Sequence, residues 1–346
     1  MDKFVVTSLR EGAGKTSLII GIAKVLNRKI GYLKPLGERF VYRKKRLCDY
    51  DAVSIANIFG LEESPDELSI GFHHAKLTYM LDEITTREKL HELTVSFGNG
   101  KELFFVECGK DLSYGVSVHL DALTLARDLQ AQLIVVVSGD EDAILDDVIF
   151  FKKHIQVADV RCKGIIINKV ANVTDFCETR LPKIQRQGID VLGVIPYCRE
   201  LSFYSVGHLA DCLFAKIIVG EAHLNRTVRS IFIGPMSVDV ARMNPLFKEE
   251  GRVVVTTGDR RHLIDAALES NAAAVVLTND IQPPIDLVSK AGEKGIPLLL
   301  VSADTCEIVK LIEEIETLPT KDDLGKIALI ERMVRTHVNL QALIQP

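Results

Sequence analysis

A chain of 346 residues is long enough for two domains, and 47% hydrophobic with 26% charged residues suits a globular protein with a sizeable core. A net charge of −5, 6% aromatics and no tryptophan give no basis for a nucleic-acid-binding or anionic-membrane surface. The seven cysteines (48, 108, 162, 177, 198, 212 and 306) are scattered, odd in number and without a C-x-x-C pair, so reduced thiols are expected rather than a zinc site or disulfide framework.

No apolar run approaches the ~18 residues that span a bilayer, and the N-terminus does not read as a signal sequence. A soluble, cytoplasmic chain is the expectation. The first predicted element is a strand through Phe4, Val5 and Val6. It runs into the glycine turn Gly12-Ala13-Gly14 and then Lys15-Thr16-Ser17, with a helix through Leu18, Ile19, Ile20, Ile22 and Ala23. Strand, glycine turn and helix in this order form a phosphate-binding loop. Glycine adopts positive φ at little cost, so backbone N–H groups can curl around a polyphosphate. The helix N-terminus adds oriented donors and partial positive charge. Lys15 brings a full charge to the β- and γ-phosphates, and the Thr16 hydroxyl can reach Mg²⁺. Leu9 stands where the full pattern G-x-x-x-x-G-K-[ST] has its first glycine. Arg10 is either a solvated loop residue or does what a lysine at that offset does in MinD-like proteins, crossing a dimer to the partner's phosphates.

A second strand is predicted over Lys29 to Leu33, closed by Lys34-Pro35. Lys34 then sits at a strand's C-terminal edge, where open α/β sheets bind ligands. It either meets a substrate carboxylate or phosphate or lies in solvent. The basic run Arg43-Lys44-Lys45-Arg46 reads as a solvated loop. Asp49 and Asp51, one residue apart, can hold Mg²⁺ directly or through water. Alternatively Asp51 caps the helix predicted from Ala52. After the polar stretch Leu61–Ser69, one amphipathic helix is predicted from Ala75 to Leu93. The pair His73-His74 before it carries no metal assignment.

The run Leu103-Phe104-Phe105-Val106 is a buried strand ending in Glu107-Cys108-Gly109. An acid at such a tip suits a second Mg²⁺ ligand or a water-orienting group. The polar turn Lys110–Gly115 can line a substrate site. Further buried strands follow at Leu133–Val137, Gly164–Ile167 and Val191–Ile195, the last closed by Pro196. Strands apolar on both faces and separated by helical stretches imply a doubly wound parallel sheet over residues 1–200. Asn168-Lys169 ends one of these strands, and an amide there suits a purine edge.

Residues 199–229 read as a helical connector. A smaller α/β domain follows to about residue 318, with strands at 230–233, 252–255, 274–277 and 297–301. Beyond Pro319 one more amphipathic helix is predicted through Leu324, Ile327, Ile330, Met333 and Val334. It is expected to dock on the domain it follows or on a second subunit.

Residues 1–200 resemble dethiobiotin synthetase and the cobyrinic acid a,c-diamide synthases. The carriers are the Gly12–Ser17 loop, Lys34-Pro35, Asp49 with Asp51, Glu107-Cys108-Gly109, Asn168-Lys169 and Gly193-Val194-Ile195-Pro196. Residues 205–315 resemble the DRTGG domain, here as Gly258-Asp259-Arg260-Arg261-His262. Together they look like the N-terminal part of long-type phosphotransacetylases without the acyl-transfer domain. The resemblance implies a P-loop NTPase-like domain binding ATP and Mg²⁺. Lys15 and Thr16 would hold the phosphates and metal, and Asp49 or Asp51 with Glu107 would complete the metal shell. Asn168 and the stretch around Pro196 would face adenine, and Lys34 a carboxylate substrate. It also implies a homodimer and one of two functions. One is a nucleotide-responsive regulatory or scaffold module for a partner acyl-transfer enzyme. The other is an ATP-dependent ligase that activates a small carboxylate or carbamate, with Lys15, Lys34 and Glu107 in the catalytic roles.

Overall fold

The structure is a computed structural model that describes residues 1–43, 45–155, 160–234, 237–315 and 317–345, without the side chain of residue 154. The chain divides into two compact units. The first holds residues 1–198 and 318–346, the second residues 199–317.

The first unit is built on six parallel strands. They are β1 (Asp2–Ser8), β2 (Ile30–Leu33), β5 (Leu103–Glu107), β6 (Gln132–Val137), β7 (Cys162–Val170) and β8 (Val191–Pro196), in the spatial order β2-β5-β1-β6-β7-β8. The central strands are closed to solvent along their length. Phe104 and Phe105 in β5, Val135 and Val136 in β6, and Ile165 to Ile167 in β7 are fully buried. Such burial of consecutive residues requires cover on both faces, which the intervening helices supply. The α/β, doubly wound architecture is therefore the one the apolar runs imply. The central strands β1, β5 and β6 are hydrogen-bonded on both sides, and their C-terminal ends lie together.

Local differences from expectation have local causes. Residues 75–93 form two helices, His74–Met80 and Glu83–Gly98, with Leu81 extended between them. Asp82 starts the second, accepting from the Thr85 N–H while the Thr85 hydroxyl accepts from the Asp82 N–H, a reciprocal cap. Residues 40–49 form an antiparallel hairpin, β3 (Phe40–Arg43) and β4 (Arg46–Asp49). The expected basic loop is its turn. Lys45 there has φ +68°, and Lys44 lies outside the described residues.

The C-terminal helix Leu324–His337 packs on the helix Lys15–Leu26 of the first unit. It buries Ile327, Ile330, Met333 and Val334. This corrects the expectation that it docks on the domain it follows or on a second subunit.

The second unit begins with a two-residue ladder, β9 (Tyr204–Ser205) with β11 (Thr227–Val228), around the helix Val206–Cys212. Its sheet runs β10-β15-β14-β13-β12: β10 (Lys216–Val219), β12 (Ser230–Ile233), β13 (Arg252–Thr257), β14 (Ala274–Thr278) and β15 (Leu298–Leu300). All pairs are parallel except β10 on β15. The segment read as a helical connector thus supplies a strand to this sheet. Alternate residues enter two cores: Val254, Val275 and Leu277 on one face, Val253, Val255 and Val276 on the other. Among the described residues no helix is long and apolar enough to cross a membrane.

Candidate functional site

β1 ends at Ser8, and the loop that follows turns at Gly12 (φ +69°) and Gly14 (φ +95°). Both positions need backbone that other residues adopt reluctantly. Gly14 is the cap residue of the helix Lys15–Leu26 and has no side chain to satisfy its first N–H groups. Helix geometry therefore leaves first-turn donors for an outside acceptor. A Cβ at Gly12 would meet open space, so φ and not crowding calls for glycine there.

Lys15 and Thr16 are buried at the start of this helix. The Lys15 ammonium donates to Ser8 Oγ at 3.1 Å and to the Lys110 carbonyl at 3.5 Å. Ser8 Oγ donates to the same carbonyl at 3.1 Å, so the turn expected to line a substrate site abuts the loop lysine. Thr16 Oγ1 donates to Glu107 Oε1 at 2.7 Å, and Tyr32 Oη donates to Glu107 Oε2 at 2.9 Å. The expected strand-tip acid is thus held beside the loop by one residue from the motif and one from the apolar strand β2. The Glu107 carboxyl is raised to about 7: burial and the charge of Asp51 push it up and outweigh the ammoniums of Lys34 and Lys15 that pull it down. Burial, then Glu107, Asp51 and Asp49, hold the Tyr32 hydroxyl well above its ordinary value, so it stays a donor. Burial likewise pushes the neighbouring Cys108 thiol up to about 12, which removes it as a nucleophile.

Lys34 is fully buried and turned inward. Its ammonium bonds to Asp51 and lies 3.2 Å from Glu38, 3.7 Å from Asp49 and 4.0 Å from Glu107. Burial lowers its pKa, but the charges of Asp51, Asp49, Glu107 and Glu38 outweigh that and hold it well above the ordinary lysine value. Lys34 is therefore not solvated: its ammonium is paired with the carboxylates of its own chain. Arg39 adds a two-pronged bond to Asp51 at 2.6 and 2.8 Å. Burial raises the Asp51 carboxyl, yet Lys34 and Arg39 bring it below its ordinary value.

The two aspartates read as a metal pair hold other bonds. Asp49, not Asp51, caps the helix, which begins at Tyr50. Its Oδ1 accepts from the N–H groups of Asp51 (2.9 Å) and Ala52 (3.2 Å). Its Oδ2 accepts from those of Glu38 (2.9 Å) and Arg39 (3.2 Å). Among the described residues no group of three or more His, Cys, Asp or Glu side chains stands arranged to hold a metal. Counting Lys15, Lys34 and Arg39 against Glu38, Asp49, Asp51 and Glu107, the site carries one surplus negative charge.

Asn168 lies against the loop. Its Nδ2 donates to the Ala13 carbonyl at 2.8 Å, and its Oδ1 accepts from the Lys169 N–H at 2.9 Å. Lys169, at φ +62°, donates from Nζ to the Gly12 carbonyl at 2.6 Å. A Cβ at Gly14 would stand 2.6 Å from Asn168 Nδ2, so the third loop residue must be small. The pair expected to read a purine braces the loop carbonyls of Ala13 and Gly12. Pro196 ends β8 opposite Val170. Arg10 bonds to Asp147 at 2.6 and 3.2 Å within its own chain. Sequence reasoning passed over Tyr32, Ser8, Glu38 and Arg39. Only Glu38 carried a signal, four residues after Lys34.

The family model described as AAA domain matches residues 2–205. The model described as DRTGG domain matches residues 208–315. Phosphate acetyltransferase of Pseudomonas aeruginosa PAO1 is 24% identical over 380 residues, covering all of this chain and 52% of that protein. The chain therefore spans about half the length of this curated relative. Among solved structures, the MinD cell division protein of Aquifex aeolicus is 14% identical with a TM-score of 0.37, over 58% of this chain and 84% of its own. A ParA family ATPase from Chlorobium tepidum TLS gives 13% and 0.38 over 58% and 86%. The CBS and DRTGG domains of the Clostridium perfringens pyrophosphatase regulatory region, complexed with the activator diadenosine tetraphosphate, give 15% and 0.29 over 38% and 60%.

Proposed function

We propose, for a chain that belongs over residues 2–205 to the AAA domain family and carries a DRTGG domain over residues 208–315, that Gly12–Ser17 binds ATP with Mg²⁺ and that the protein acts as a nucleotide-responsive regulatory or scaffold module for acyl-phosphate metabolism. The observation that supports this most is the loop itself: positive-φ glycines, an uncapped helix start and a buried lysine beside them. A triphosphate supplies the anion these donors lack. Thr16 and Glu107, in direct contact and next to a surplus negative charge, fit a divalent cation. Bound there, Mg²⁺ would neutralise phosphate charge. Thr16 and Glu107 would hold it; Asp49 and Asp51 would act from behind, by fixing the Glu38–Arg39 backbone and Lys34.

The regulatory reading is favoured over catalysis because Lys34 is spent inside the protein. The contact of the Lys110 carbonyl with Ser8 and Lys15 supports the second reading, an ATP-dependent ligase acting on a small carboxylate or carbamate at the 110–115 turn. A homodimer belongs to both. The experiment adds the purified protein, with and without Mg-ATP, to a phosphate acetyltransferase acyl-transfer domain and measures acetyl phosphate formation. A nucleotide-dependent change in rate that Lys15→Ala abolishes supports the regulatory reading. No change, with carboxylate-stimulated ADP release instead, replaces it with the ligase.

A further inference from the structure

Residues 199–317 form the second unit, and the chain on both sides of them belongs to the first. On leaving the second unit the polypeptide lays Leu324–His337 along Lys15–Leu26, the helix that opens with the loop lysine and threonine. The approach depends on two glycines. A Cβ at Gly21 would stand 2.3 Å from Val334 Cγ2 and 3.1 Å from Ile330 Cγ2. A Cβ at Gly193 would stand 2.3 Å from the His337 carbonyl oxygen. Neither glycine has positive φ, so close packing, not backbone shape, demands them. Next to this contact Val338 bridges Gly193 antiparallel, and the Asn339 N–H donates to the Leu192 carbonyl at 2.7 Å. The edge strand β8 is thereby covered. Ile330 and Val334 are buried in the contact. Gly21 lies six residues past Lys15, about 9 Å along a helix axis.

We propose that residues 318–345 couple to the phosphate loop: seating of Leu324–His337 on the loop helix and occupancy of the loop favour each other. This rests on the reading of Gly12–Ser17 as a nucleotide site. The helix Lys15–Leu26 carries loop residues at one end and the Gly21 seat in its middle, and a close-packed interface shifts between discrete arrangements rather than yielding gradually. Such coupling is reciprocal, so it is readable from the nucleotide side alone.

The test uses the full chain and Mg-ATP. Calorimetry establishes saturation, and amide hydrogen exchange is followed over residues 324–344 in the same samples. Mg-ATP is expected to slow exchange there on the order of fivefold or more. Gly21→Ala, which puts the better helix former at that position, is expected to weaken Mg-ATP binding on the order of tenfold by displacing Val334. The double variant Gly21→Ala/Val334→Ala, which makes room for the methyl, is expected to recover to within about threefold of wild type. Val334→Ala alone trims the contact without inserting an atom, and it is expected to reduce the exchange response. Should Mg-ATP saturate the wild type while exchange at 324–344 stays unchanged, the coupling is wrong and the nucleotide reading stands. The coupling is equally wrong if Gly21→Ala and Val334→Ala bind as wild type does. If the wild type shows no heat of binding, the nucleotide reading fails and takes the coupling with it.

Discussion

Glu107 is where the motif, the apolar strand and the acidic cluster meet. It accepts from Thr16 and Tyr32 and lies 4.0 Å from the Lys34 ammonium. Burial holds its carboxyl at about 7 in the folded protein, above the usual carboxylate range. Folding therefore takes up protons between the unfolded value and about 7, and the stability Glu107 contributes is complete below that window and lost as the pH rises through it. Wild-type stability relative to Glu107→Gln is thus expected to be greatest near pH ~5 and to fall toward pH ~8. Urea denaturation of both proteins across this range measures it, and a flat difference would contradict the assignment. Asp49 makes a separate case. Its two oxygens serve four backbone N–H groups, so Asp49→Ala is expected to cost on the order of 2 kcal/mol. A loss near zero in the same denaturation assay would mean those bonds are not formed. Lys15 and Thr16 were legible in the sequence because their spacing carries their chemistry. Tyr32 was not, because a tyrosine inside an apolar strand looks like core until Glu107, seventy-five positions on, is placed opposite its hydroxyl.

Among the elements, the strands were read where they are apolar on both faces, as in β5, β6 and β7. What escaped was set by side-chain bonds the periodicity does not show. Asp82 and Thr85 split the helix expected over 75–93 with a capping box whose second member is threonine, not the glutamate or glutamine that marks one. The last residues of β7 are a comparable case. Asn168 and Lys169 were assigned by their place at a strand end, but their partners are the Ala13 and Gly12 carbonyls, 155 and 157 positions earlier. A brace on the loop makes a definite demand. Asn168→Ala is expected to weaken nucleotide binding about fivefold for ATP and GTP alike, the worth of about one hydrogen bond to a preformed loop. Competition titration with the two nucleotides checks this. A loss confined to one base would restore the base-reading role.

For the molecule as a whole, the AAA and DRTGG domains follow one another in sequence, but the compact units are nested: the first is resumed after the second. The amphipathic pattern of 324–337 was visible; the surface it covers was not, since Gly21 and Gly193 advertise a close approach only when their neighbours are known. Removing residues 318–346 is expected to lower the unfolding temperature of the first unit, which loses its cover for Gly21 and β8. The same truncation should leave exchange protection of β13 and β14 in the second unit unchanged. Hydrogen exchange on full-length and truncated chains resolves the two units separately. Equal loss of protection in both would refute the nested arrangement.

Every functional role proposed for this chain depends on Gly12–Ser17 wrapping a nucleotide triphosphate, with Lys15 on its phosphates. Isothermal titration of the purified chain with ATP in the presence of Mg²⁺ puts that to the test without an intermediary. Saturable one-site binding is expected, and Lys15→Ala is expected to weaken it on the order of a hundredfold. The absence of binding in the wild type, or unchanged affinity in Lys15→Ala, would contradict it.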